Sequence, residues 1–219
     1  MNLFVTNDAD SMVAELLTRY LKLDQRFKVS ITRIDKGLVQ AGLLDNAVML
    51  VGAGQKYRSL KVVLKQLTAL CNLDDLLLGE TAEEVNEISK HFDLWHNPIE
   101  ELVKFYNQDL LTKTYLEKEH LTVADLVVFC KLHSFVVAME DVPKVLNNNL
   151  LRWFNHIQHL PALHEVLQQM GRELVLFPVK VSKKQLKKAE KEGEKDKPKE
   201  MKKDQKEQKV DKKEQKKDK

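Results

Sequence analysis

The side chains in this 219-residue chain with most chemistry to offer are seven histidines, two cysteines, one arginine on a late amphipathic stretch and a C-terminal crowd of lysines. His156 and His159 share a helix face, which suits a transition metal. No carboxylate or cysteine joins them at ligand spacing, so the face reads as solvated or interfacial, and no metal or cofactor is expected. Cys71 and Cys130 are far apart, with neither C-x-x-C nor zinc spacing. They read as reduced, buried thiols, which sets the expectation of a cytoplasmic protein. Gly52-Ala53-Gly54 is too short for a phosphate loop and is read as a turn.

Arg152, His156 and His159 fall at i, i+4 and i+7, opposite an apolar stripe of Leu150, Phe154 and Ile157. The planar guanidinium can stack and hydrogen-bond at once. Two readings stay open for Arg152: a contact to a partner, or a pair with an acidic residue of its own domain. Trp153 has the same two readings, core or interface anchor.

The lysines obey a different rule. Residues 180–219 hold 18 of the 36 basic side chains and 10 of the 33 acidic ones, with no aromatic residue, so a mildly acidic body precedes a basic tail. Ser182 and Gln185 form an S-x-x-Q start signal. Lys184, Lys188, Lys191 and Lys195 then line one cationic face, with Lys183 and Lys187 in the same run. Gly193 and Pro198 keep that helix short and marginal in water. Beyond Pro198 a seven-residue repeat places Lys202, Lys206, Lys209, Lys213 and Lys216 on one stripe and the acids on another. Like charges three and four apart destabilise an isolated helix, and a polyanion laid along the lysines relieves that repulsion and releases counterions. The tail is therefore expected to be disordered or helical, either an RNA-binding strap or a solvated linker. Lys219 falls in mid-repeat, which leaves open that the chain is a piece of a longer protein.

These groups need a scaffold, and 43% apolar residues suffice for a sizeable core. Asn2–Thr6, Lys28–Ile34 and Ala47–Val51 read as strands. A helix capped by Asp8 or Asp10 follows the first, and Ser59 opens another with Leu60, Val63, Leu64, Leu67 and Leu70 inside. After residue 75 the pattern is all helical. Thr81 and Glu84 form a capping box, and Asn97-Pro98 starts a second helix. Thr122 and Asp125 cap a stretch that is apolar nearly all round and so belongs at the centre of a bundle. An amphipathic helix over 146–159 and a short one over 162–170 complete the body. No run approaches 18 apolar residues, so no membrane span is expected; Asp8 and Asp10 interrupt any N-terminal signal pattern.

The order β-α-β, β-α, then a helical bundle, together with TKTYL and LTVADLVVF, resembles the glutathione transferase fold. The segment RWFNHIQ at 152–158 is similar to the late helix of the glutathione-transferase-like domains attached to eukaryotic aminoacyl-tRNA synthetases and their scaffold proteins, and MNLFVTND resembles the start of such an appended domain. The likeness covers roughly 1–175. It implies a degenerate thioredoxin-like layer over 1–75, an all-helical domain over 80–175 and the lysine-rich tail over 180–219. Active members hold glutathione with a cis-proline before the third strand, a Glu/Gln-Ser pair at the next helix, and a Tyr, Ser or Cys near the end of the first strand. Here Asp45-Asn46-Ala47-Val48 has no proline, Gln55 and Ser59 are not adjacent, and only Thr6 stands near the activating position.

The resemblance thus implies a non-catalytic adaptor in translation. Its partners would be synthetases or other glutathione-transferase-like domains, met through Arg152, His156 and His159, while SKKQLKKAEK resembles the lysine-rich extensions that hold tRNA. The alternatives are a true glutathione transferase, an appended domain of a synthetase, or a γ-like subunit of the elongation factor exchange complex.

Overall fold

A computed structural model describes residues 1–35, 37 and 48–177. Strand β1 (Asn2–Val5) lies inside a four-stranded sheet of order β2-β1-β3-β4, with β2 at Ser30–Arg33, β3 at Val48–Gly52 and β4 at Gln55–Tyr57. β1 runs parallel to β2, pairing Leu3 with Ile31, and antiparallel to β3, pairing Leu3 with Leu50. The alternation of β1 puts Leu3 and Val5 wholly inside.

β4 was not legible in the sequence: its three residues are polar, and one is only half-buried. It exists because Gly52-Ala53-Gly54 closes a hairpin. Ala53 and Gly54 take φ of 49° and 79°, the paired positive values that match the twist of two antiparallel strands.

Helix α1 (Ala9–Tyr20) follows β1 and buries Met12, Val13, Leu16 and Leu17, and a one-turn α2 (Leu23–Arg26) leads back to β2. Glu15, also buried on α1, binds Arg19 at 2.9 Å and Arg33 of β2 at 3.3 Å. Helix α3 (Leu60–Ala69) starts at Ser59 and buries Val63, Leu64 and Leu67. A short α4 (Asp74–Leu78) ends at Gly79, whose φ is 104°. A Cβ there would sit 2.8 Å from the Val85 amide, so only glycine fits.

The bundle comprises α5 (Ala82–Asp93), α6 (Ile99–Asp109), α7 (Val123–Ala138), α8 (Asp141–Leu146), α9 (Asn148–Gln158) and α10 (Pro161–Gln169). The Thr81–Glu84 box is formed in full: Thr81 Oγ1 accepts from the Glu84 amide, and Glu84 Oε2 accepts from the Thr81 and Glu80 amides. Pro98 is the cap rather than the first residue of α6. The helix expected over 146–159 is α9, trimmed by a residue or two at each end; the short α8 before it was not expected and is set off because Asn147 leaves helical geometry between the two. Helix α7 is buried almost throughout from Val123 to Val136, the apolar circumference the sequence implied. It packs against α1 and α5, so the sheet layer and the bundle share one core. Cys130 lies in that core, and burial pushes its thiol far up. Cys71 departs from the expectation of a buried thiol. It is half-buried beside the Arg26 guanidinium at 3.5 Å, because it sits past the end of α3.

Candidate functional site

The region where a transferase would activate its thiol is the junction of β1 and α1. Thr6 is nearly buried there, and both its amide and its hydroxyl are engaged. Its amide donates to Ser11 Oγ at 2.9 Å, and its hydroxyl donates to Asp8 Oδ2 at 2.6 Å. The Ser11 hydroxyl lies 3.1 Å from Thr6 Oγ1, while Asp8 Oδ1 accepts the Ser11 amide at 2.8 Å as the cap of α1. A hydroxyl carries one proton, and this one is aimed at a carboxylate rather than at incoming sulfur.

The neighbouring groups add negative charge. Burial and the Asp8 carboxylate raise the Asp10 carboxyl above its ordinary range, against the pull of Lys131, His96 and a hydrogen bond from Trp95. Lys131 Nζ lies 4.7 Å from the centre of the Trp95 ring. The remaining family signals are equally displaced. Gln55 belongs to β4, where Tyr57 Oη bonds its side chain, and Ser59 caps α3 without a side-chain hydrogen bond. The proline-free segment at 45–47 lies outside the described residues.

The second candidate region is the outer face of α9. Among the described residues Arg152 makes no ion pair with an acidic side chain. Its Nη2 donates to the carbonyls of Leu110 at 2.7 Å and Lys113 at 2.8 Å, groups that the end of α6 leaves without helical partners. Asn107 returns the favour from α6: its Oδ1 accepts the amides of Asn149 and Leu150, each at 3.1 Å, in the first turn of α9. The two helix ends therefore cap one another.

His156 is half-buried, edge-on to Tyr115 at 5.1 Å, and its Nε2 is enclosed without a hydrogen-bond partner among the described residues. His159 is exposed. Its Nδ1 donates to the Asn155 carbonyl at 2.8 Å, and its ring stacks on His164 at 5.4 Å. Arg152 and His156 lie on α9 and His159 caps its end; of the three only His159 is exposed. Among the described residues no group of three or more His, Cys, Asp or Glu could hold a metal ion. Trp153 is core: it is fully buried, and its Nε1 donates to Asp125 Oδ1 at 3.1 Å.

Two polar centres escaped the sequence reading. Asp125 was visible as the third residue of α7, but the T-x-x-D spacing carries no sign of its long-range partners. Its carboxylate accepts from the Leu116 amide, the Thr122 amide and the Thr122 hydroxyl, each at 3.0 Å, as well as from Trp153. Burial raises its carboxyl while these four bonds pull the other way. The other centre is His91 on α5. Its Nδ1 meets Tyr106 Oη at 2.9 Å, and its Nε2 meets Glu117 Oε1 at 2.7 Å. Those partners lie 15 and 26 residues along the chain, beyond any local motif.

The tail lysines Lys183, Lys184, Lys187, Lys188, Lys191, Lys195, Lys202, Lys206, Lys209, Lys213 and Lys216 lie outside the described residues. Among the described residues no helix is long and apolar enough to cross a membrane.

Comparison with known proteins fits this geometry. No known family profile matches the chain. In fold it is similar to the glutathione-transferase-like domain of elongation factor 1-gamma from Saccharomyces cerevisiae, with a TM-score of 0.61, 16% identity, and coverage of 83% of this chain and 98% of that one. It is also similar to a chain from the binary sub-complexes that reveal how the yeast aminoacyl-tRNA synthetase complex forms, with a TM-score of 0.55, 13% identity, and coverage of 78% and 93%. In sequence, 112 residues are 29% identical to the tRNA-aminoacylation cofactor arc1 of Schizosaccharomyces pombe, covering 50% of this chain and 25% of that protein. A longer match of 134 residues is 31% identical to eukaryotic translation elongation factor 1 epsilon-1 of Homo sapiens, covering 56% of this chain and 75% of that protein. The chain therefore belongs to the family of eukaryotic translation elongation factor 1 epsilon-1 and has the glutathione-transferase-like fold.

Proposed function

We propose that this chain is a non-catalytic adaptor of protein synthesis, which docks aminoacyl-tRNA synthetases through its glutathione-transferase-like body and binds tRNA through its lysine-rich tail. The observation that carries the reading is the state of Thr6. Where the fold places a thiol-activating group, this chain has a hydroxyl committed to the Asp8 carboxylate, with Asp10 close by. Its relatives are named for translation and for aminoacylation, and one structural neighbour comes from a synthetase complex. The α9 face is the proposed docking surface, with His159 and the outer edge of His156 as contacts and Arg152 as the group that holds the face in position.

The test is capture of purified synthetases by the full chain and by two variants. His159→Glu should reduce capture of a methionyl- or glutamyl-type synthetase without changing the melting temperature. Arg152→Ala should lower stability by about 1–2 kcal/mol, since two carbonyls lose their charged donor, and should weaken docking through the helix it supports. Unchanged capture by His159→Glu removes that residue from the surface. For the tail, tRNA affinity should fall with salt at a log–log slope of about −0.7 to −0.9 per phosphate neutralised. It should also be indifferent to sequence, because lysines on phosphates read no base edges. Clean retention on immobilised glutathione and elution by the free tripeptide would favour the enzyme reading instead.

A further inference from the structure

A cavity of about 540 Å³ opens between α5, α6 and the connection that follows α6. It uses none of Arg152, His156 or His159. Its charges divide into two kinds. At two points on its wall the ions are already paired within the chain, Glu87 with Lys90 and Asp109 with Lys113. Two further carboxylates line it: Glu117, which His91 binds and toward which Lys113 and Lys90 also pull, and Asp93. Asp93 is exposed and makes no ion pair among the described residues. Phe105, half of whose surface is exposed, and Leu94 supply an apolar face beside them.

Glu117 is held with unusual care for a residue at a cavity wall. A carboxylate only accepts, so His91 Nε2 must donate to its Oε1, while His91 Nδ1 is held against the Tyr106 hydroxyl. His91 and Tyr106 are 5% and 2% exposed, so both polar groups were taken out of water to build this chain of bonds. The effect is to orient one carboxylate and hold its carboxyl below the usual range. Its Oε2 accepts no hydrogen bond among the described residues. Fastening the connection after α6 would need no such device, since Lys118 to Glu84 and Leu116 to Asp125 already pin it.

We propose that this cavity receives an arginine side chain of a partner protein, its guanidinium on the Glu117 carboxylate and its flat face against Phe105. The fork of an arginine matches a fixed carboxylate and stacks on an aromatic ring, whereas an ammonium ion does only part of this. Asp93 adds attraction at longer range. This surface is independent of the α9 reading and can fail or stand without it.

The test titrates the full chain, observed by amide NMR, with N-acetyl-arginine methylamide, its lysine counterpart and its uncharged citrulline isostere. The arginine amide should give saturable shifts around Glu117 and Phe105. It should bind at least threefold tighter than the lysine amide and about tenfold tighter than citrulline, where tenfold corresponds to about 1.4 kcal/mol. Glu117→Gln should cost about tenfold and Phe105→Ala about threefold. Asp93→Asn, which touches neither His91 nor the loop, should weaken binding about twofold and decides the matter if Glu117→Gln does not fold. Equal affinity for all three amides, or for arginine in the folded wild type and the folded Asp93 and Glu117 variants, overturns the proposal.

Discussion

Two helix starts use the same device to different depths. At α1 the Asp8 carboxylate caps a helix that begins half in solvent, beside Thr6 and Ser11. At α7 the Asp125 carboxylate closes the box with Thr122, but it is fully buried and also gathers the Trp153 indole and the Leu116 amide. Asp8 is half-exposed, so water can reach the place of a lost acceptor; Asp125 is sealed, and none can. The difference shows how one short motif serves as a local fastening in the sheet layer and as the junction of a loop and two helices in the bundle. The α1 cap also takes up the Thr6 hydroxyl, whose proton goes to Asp8 Oδ2.

The largest test of this contrast is Asp125→Ala. At least two buried donors lose their acceptor, at roughly 1–3 kcal/mol each. A loss of about 3–5 kcal/mol is expected, seen in thermal unfolding as a drop of roughly 10 °C. The matching change at the shallower site, Asp8→Ala, should cost about 1 kcal/mol in chemical denaturation. Comparable losses from the two variants would break the comparison.

Acidification sharpens it further. The Asp125 carboxyl is raised from its ordinary 3.8, so its stabilising share is present at low pH and is lost as pH rises through the folded value. Glu117 is the reverse: its bond to His91 lowers its carboxyl from an ordinary 4.5, so its share is present above that value and is lost as pH falls through the lowered one. Glu117→Gln should therefore flatten the acid limb of a stability-against-pH curve by less than about 1 kcal/mol, a figure reduced because the group is partly in solvent. A steeper acid limb in that variant would contradict the assignment.

Local rules carried most of the fold. The strands β1 and β3, the Thr81–Glu84 box and the apolar circumference of α7 follow from short-range patterns, and each is present. The short polar β4 does not follow, because its pairing depends on a turn and a neighbour rather than on its own residues. The start of α9 at Asn148, apart from the unexpected α8, likewise draws on a distant residue: Asn107 accepts the Asn149 amide from 42 residues away. At the α9 face the spacing of Arg152, His156 and His159 was legible. Where the guanidinium points was not, since periodicity names a face and says nothing of carbonyls at the end of another helix. The same limit hid His91, one histidine among seven until Tyr106 and Glu117 are brought to it.

Both indoles of the chain now have separate surroundings. Trp153 is sealed in the core against a carboxylate, while Trp95 is half-buried under a lysine at the mouth of the α1 junction. Ultraviolet emission from the intact protein thus comes from two optical reporters, one steady until the interior melts and one sensitive to whatever approaches the junction of β1 and α1. A spectral change without loss of the sealed component would report an encounter there rather than denaturation.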